Sequence, residues 1–271
     1  MKQLLLASTA LTLGGQALAA DLPARMPVKA PIAVVSHYSW TGCYLGGHIG
    51  AGWGRTDISE PTERFGQYFA PANSPIAVDT GAGVLGGAQV GCDYQFATNW
   101  VLGAAGDFSW ADVKGQATDP FFTGKSGGPI LLNAKTEWLA TATARIGYAW
   151  ERWLLYGKGG AAWTHDQYSV QNTVVWGNPI VNVCGFPVAV ACNPTGSETR
   201  AGWTLGLGLE WAFADNWSAG LEFDHYGFGT RSVTLIAANA VPPASGPVNV
   251  KQQIEAVKFI INYRFGWLGS R

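Results

Sequence analysis

From residue 40 to residue 265 apolar and polar positions alternate with a period of two, broken at intervals by turn-like and loop-like stretches. Successive side chains of a β-strand point to opposite faces, so this period predicts strands. The clearest run is 199–213. Ala201, Trp203, Leu205, Leu207, Leu209, Trp211 and Phe213 share one face, and Arg200, Gly202, Thr204, Gly206, Gly208, Glu210 and Ala212 share the other. In 135–150 the apolar row is Trp138, Ala140, Ala142, Ala144, Ile146, Tyr148 and Trp150, opposite Thr141, Thr143, Arg145 and Gly147. The same reading places strands near 41–54, 82–96, 100–111, 153–165, 217–227 and 252–265. The total is eight, an even number, as in single-chain bacterial membrane barrels.

Connection lengths point the same way. Ala97–Asn99, Glu151–Arg152 and Ala214–Asn216 are short links, whereas the links near 55–81, 112–134, 166–198 and 228–251 are long. Short turns on one side and long loops on the other are the outer-membrane pattern, with the short side periplasmic. Proline cannot donate to a strand ladder, and all 14 Pro fall outside the predicted strands. Tryptophan marks both ends: Trp40, Trp100, Trp153 and Trp217 at the short-turn side, and Trp53, Trp110, Trp138, Trp163 and Trp203 at the long-loop side. Trp100 to Trp110 and Trp153 to Trp163 are each ten residues apart. Ten tilted strand residues rise about 25 Å, the height of a lipid-facing band.

Charge parity separates inside from outside. Asp93, Asp107, Arg145, Lys158, Glu210, Glu222, Asp224, Lys258 and Arg264 lie opposite the apolar rows. A soluble lipid-carrying barrel would show the reverse, so the polar face is the expected lumen. Five of these residues fall at similar height: Asp107, Arg145, Lys158, Glu222 and Lys258. They are expected to form one buried ion-pair layer. It is either a structural filling of a narrow lumen or a gate that exchanges partners.

Composition fits a protein whose surface is largely hidden from water. Charged residues make up only 13%, about half the usual share, while Gly numbers 36 and Trp 13. Residues 1–19 read as a signal peptide, with Lys2, an apolar stretch from Leu4 to Leu13, and Ala17-Leu18-Ala19 as the cleavage pattern. Residues 20–39, with three Pro, read as a periplasmic tether; 40–265 as the barrel; and 266–271 as a tail. Cleavage removes Lys2, one of 17 bases, which leaves 16 against 18 acids and no basic run, giving no case for nucleic acid. Export permits disulfides. Cys184 and Cys192 sit in one loop and are the expected bridge, while Cys43 and Cys92, on adjacent strands at similar height, are either bridged or two free thiols. No residue set stands at metal-ligand spacing, and none indicates a cofactor. The third long loop is apolar at Val174-Val175-Trp176 and from Ile180 to Ala191, which suits contact with lipid, lipopolysaccharide or a partner, or folding over the barrel mouth.

Several segments are similar to one family: Ala-Asp-Leu-Pro at 20–23, WTGCYLGGHIGAGWG at 40–54, GGAQVGCDYQF at 86–96, NWVLGAAGDFSW at 99–110 and INYRF at 261–265. The chain resembles the small outer-membrane β-barrel proteins of alphaproteobacteria, the porin-family or opacity-like surface proteins. The resemblance implies a lipopolysaccharide-associated structural barrel, with slow diffusion or surface adhesion as further roles, and no catalytic residues. It also implies an assembly signal in the last strand, with Tyr263 and Phe265 as its aromatic end, read by the barrel-insertion machinery. Ile260 stands where that signal usually has Gly, and Gly266–Arg271 follow the final Phe.

Three functions compete. One is a structural envelope barrel that passes small solutes weakly; the second is an adhesin or receptor acting through the long loops. The third is a lipid-modifying enzyme, which needs a nucleophile and a base in reach of each other. His48, His165, His225, Ser109 and Ser169 are the available groups, and no pair among them stands out in the sequence.

Overall fold

The computed structural model describes residues 38–59, 73–119, 130–172, 194–237 and 244–265. They belong to the unit His37–Arg271. The expected signal peptide, most of the tether, the tail, and the Cys184–Cys192 pair lie outside the described residues. Eight strands follow in order: β1 (Gly42–Ser59), β2 (Ile76–Phe96), β3 (Trp100–Thr118), β4 (Ile130–Trp150), β5 (Trp153–Asn172), β6 (Thr195–Ala212), β7 (Trp217–Ala237) and β8 (Ala244–Phe265). Each pairs antiparallel with the next, and β1 pairs with β8 to close the barrel. Closure leaves no sheet edge, the condition for a sheet to stand in hydrocarbon. At the short-turn end the chain reverses over 97–99, 151–152 and 213–216, with positive φ at Ala97, Thr98 and Glu151.

The strands are longer than the period-two reading gives. They continue four to ten residues beyond the predicted ends on the long-loop side. In β2, β4 and β7 a β-bulge inserts an extra residue and reverses the facing of everything beyond it, whereas in β5, which carries no bulge, only the polarity of the outward face changes. β2 shifts register between Thr80 and Leu85, β4 between Thr136 and Trp138, and β7 between Gly227 and Thr230. In β4 both Glu137 and Trp138 are partly exposed, so Leu139 is inward on one side of the bulge and Thr136 on the other. Pro247 is a second correction, since it lies within β8 opposite Thr234. It stands in this outer extension, far from the lipid-facing band.

Outward, the strands carry the apolar rows. Leu45, Ile49, Val90, Leu102, Leu155, Leu205, Leu207, Leu221, Phe259 and Ile261 are exposed between the two ends. Trp100, Trp153 and Trp217 face outward near the short turns. Trp53, Trp110, Trp163 and Trp203 do so toward the long loops, with Trp138 partly exposed beside them. Trp40 departs from this pattern. It is fully buried, packed with Val101, Ala149, Leu154, Tyr156 and Ala212 across the short-turn mouth. Gly42, at φ +142°, turns the chain inward there, and a Cβ on it would lie 2.6 Å from the Phe265 carbonyl oxygen. Tyr38 meets Trp40 edge-to-face at 5.0 Å, so the barrel unit begins slightly before the predicted boundary.

Cys43 and Cys92 are directly opposed on β1 and β2 and form a disulfide. The register resolves the alternative left open by the sequence.

Candidate functional site

The lumen is filled by layers. From the short-turn end they are the Trp40 plug, a charged cluster on Arg145, a second on Lys158 and Lys258, and an apolar layer with Leu85, Leu139, Tyr226, Phe228 and Ile254. A third polar cluster on Asp166 follows, and then an outer apolar layer with Val78, Leu132, Tyr168, Val233 and Val250. The candidate site is the pair of charged clusters near the middle of the band.

In the first, Arg145 donates through Nε to Asp93 Oδ1 at 2.7 Å and through Nη2 to Asp93 Oδ2. Its other nitrogen lies 3.6 Å from Glu210 Oε2. Arg264 adds a bond to Asp93 at 2.8 Å and one to the Trp40 carbonyl at 2.6 Å. Glu210 accepts from Ser218 Oγ at 2.5 Å and Asn262 Nδ2 at 2.9 Å. The Arg145 guanidinium lies between the rings of Tyr44 and Tyr156, 4.7 and 4.8 Å from their centroids.

In the second cluster, Lys158 Nζ stands 2.7 Å from Glu222 Oε2 and 3.0 Å from Asp224 Oδ1. Lys258 Nζ stands 2.8 Å from Asp224 Oδ2 and 3.1 Å from Asp107 Oδ1. Thr141 donates to Asp107, and Tyr156 donates to Glu222 at 2.5 Å, linking the two clusters. All these side chains are nearly inaccessible.

The single five-residue layer read from the sequence is therefore two layers. Asp107, Lys158, Glu222 and Lys258 share one with Asp224; Arg145 belongs to the other. The cause lies in the register. Arg145 and Lys158 are direct neighbours on β4 and β5, and like charges facing across a ladder repel. Each reaches away from the other, over a glycine, to an acid two strands off. Arg145 crosses Gly103 of β3 to Asp93 on β2, and Lys158 crosses Gly206 of β6 to Asp224 on β7. A Cβ on Gly103 would fall 2.1 Å from Asp93 Oδ1, and one on Gly206 would fall 2.2 Å from Asp224 Oδ1. Inward glycines flanked by opposite charges on the neighbouring strands are the signal that marks these pairs.

The third cluster was not expected. Asp166 accepts from Thr136 at 2.6 Å, Gln252 at 3.0 Å and Arg200 at 3.3 Å, all of them buried. His48 and Ser109, distant in sequence, meet at 2.7 Å inside the lumen, with the Ser109 side chain fully buried. Tyr263 and Phe265 of the last strand face outward, with Trp217 packed on Tyr263 at 5.1 Å. Among the described residues no group of three or more His, Cys, Asp or Glu is placed to hold a metal ion.

A closed eight-stranded barrel, apolar outside and charged inside, is the architecture of a small outer-membrane protein. The family model for the outer membrane protein beta-barrel domain matches residues 6–265. The chain belongs to that family. It is similar to the 31 kDa outer-membrane immunogenic protein of Brucella melitensis, 32% identical over 98% of this chain and 100% of that protein. It is also similar to the 25 kDa outer-membrane immunogenic protein of Brucella abortus, 26% identical over 98% of this chain and 99% of that protein. The protein is thus a barrel of the cell outer membrane. Among solved structures, the outer membrane protein AlkL aligns at 12% identity over 90% of this chain and all of that one, with a TM-score of 0.45. The outer membrane protease OmpT of Escherichia coli aligns at 8% identity over 84% and 98%, with a TM-score of 0.46. Likeness at that level carries nothing about activity.

Proposed function

We propose that the protein is a structural barrel of the outer membrane, closed to free diffusion, whose strands project beyond the lipid-facing band. The observation that carries this reading is the series of side-chain layers in the lumen, in which each charged cluster holds its own buried ion pairs. An eight-stranded lumen is just wide enough for its own side chains. A solute crossing it must part Lys158 from Glu222 and Arg145 from Asp93, and an uncompensated buried charge costs about 3–5 kcal/mol. Planar-bilayer recordings test the reading. Wild-type protein is expected to stay at the baseline of the empty bilayer. Steady wild-type conductance would overturn it, and conductance that changes in Glu222→Ala or Lys158→Ala would favour an ion-pair gate instead.

A second role is compatible with the first. Beyond Trp163 the wall continues to Asn172, about 20 Å further along the barrel. Such an extension sets the outer end of the barrel wall where other cells or molecules meet it. The relatives named as immunogenic proteins support surface display. Cells lacking the protein are expected to lose attachment to a host surface if the loops act as an adhesin, and to keep it if the barrel is structural alone.

A further inference from the structure

The outer wall carries a feature that neither a lumenal nor a loop-borne role uses. Beyond the tryptophan row, the outward side of β3 to β7 forms a groove of about 1120 Å³, closed on the β7 side by Thr234 and Ile236. Lys114 and Lys135 lie in it directly opposite each other on β3 and β4, and the row continues into Gln167 on β5. One step further out, Gln116, Asn133 and Ser169 form a second row. The amide of Gln116 donates to Asn133 at 2.8 Å, and that of Asn133 donates to Ser169 at 3.3 Å.

Two ammonium groups facing each other across a ladder repel, and the arrangement favours an anion between them. Each lysine has one carboxylate partner, both on the membrane side of the row: Asp112 at 2.8 Å and Glu137 at 3.0 Å. An ammonium has three donors, so each keeps capacity toward the groove. Lys114 stands four residues beyond Trp110, about 10 Å along the wall, which is headgroup rather than hydrocarbon depth. Directly below, Phe108, Trp138 and His165 stack in sequence, at 5.8 and 6.1 Å, on the lipid-facing surface. A ligand seated here meets cations, then amide and hydroxyl groups above, and apolar wall beneath. That sequence fits an acylated, phosphorylated saccharide.

We infer that the β3–β7 groove is a site for the phosphorylated saccharide headgroup of an outer-leaflet glycolipid, with Lys114 and Lys135 on its phosphate and the amide rows on its sugar hydroxyls. The inference rests on the outer-membrane location and is independent of whether the lumen conducts. On the opposite wall Arg55 is tied to its own neighbour Asp57 at 3.0 Å, and Lys251 stands opposite Asp57 across the β1–β8 ladder. That wall serves as the control.

Native mass spectrometry of the full barrel in detergent tests the site. The probes are a bis-phosphorylated acylated glucosamine disaccharide, its dephosphorylated form and phosphatidylglycerol, with inorganic phosphate as competitor. Lys114→Gln with Lys135→Gln is expected to weaken the phosphorylated disaccharide about thirtyfold, and Lys135→Gln alone about fivefold. Gln116→Ala with Asn133→Ala should weaken both disaccharides and leave phosphatidylglycerol unchanged. Arg55→Gln with Lys251→Gln should change nothing. Heat-modified gel mobility checks that each variant is folded. The proposal is overturned if the lysine variants bind as wild type or if the control pair loses as much. It is equally overturned if phosphatidylglycerol matches the disaccharide, or if inorganic phosphate alone displaces it, which would mark a general anion surface.

Discussion

In the lipid-facing part of β5, Leu155 and Trp163 face outward and Lys158 faces inward. Nearer the outer end of the same strand, Gln167 faces outward and Tyr168 is buried. No bulge separates the two stretches, so the facing is unchanged while the polarity is inverted. The difference lies in what surrounds the barrel. Around the lower part hydrocarbon accepts apolar side chains, and polar groups retreat into the lumen, where they must pair. Around the outer extension water accepts the polar rows, and the interior becomes an ordinary core of Ile58, Val78, Leu132, Val233, Leu235, Val248 and Val250. One continuous sheet thus obeys two opposite burial rules, and the tryptophan row marks the changeover.

Removing a lumenal charge should break the lower part most severely. Arg145→Ala leaves Asp93 and Glu210 without their shared partner and is expected to cost about 3–5 kcal/mol, read as urea unfolding from lipid vesicles. A cost below that of an exposed substitution would mean that water fills the layer freely. The next effect contrasts the outer faces. Leu207→Arg places a charge in the band and should cost about 2–4 kcal/mol, whereas Gln167→Arg in the extension should stay within about 0.5 kcal/mol. Equal costs at the two positions would erase the boundary drawn by Trp163 and Trp203. The smallest effect tests the outer interior. Val78 is fully buried, and Val78→Thr, nearly the same in shape, should cost about 1–3 kcal/mol for its unpaired hydroxyl. No loss there would show a wet outer lumen.

In β2, β4 and β7 bulges also explain where the sequence pattern ran out. The predicted strands end near 54, 82, 111, 135, 165, 199, 227 and 252, close to the register shifts at Thr80/Leu85, Thr136/Trp138 and Gly227/Thr230. A single inserted residue destroys the period on which strand prediction rests. Beyond the bulges the inverted polarity also imitates a polar loop. Trp40 failed for a different reason: its spacing matches the other tryptophans, but the positive φ at Gly42 sends it under the barrel.

What the sequence determined by itself was the barrel, its eight strands, its lipid-facing parity and the side bearing the short turns. Each follows from alternation, turn length and aromatic placement, which are local and repeat along the chain. Tertiary structure alone decided which charges pair, because Asp93 and Arg145, or Lys158 and Asp224, meet across an intervening strand at a height set by closure and stagger. It likewise decided that Cys43 meets Cys92, that His48 meets Ser109, and that Lys114 faces Lys135. A period of two tells a side chain which face it occupies; only the register of the closed sheet tells it whom it will meet there.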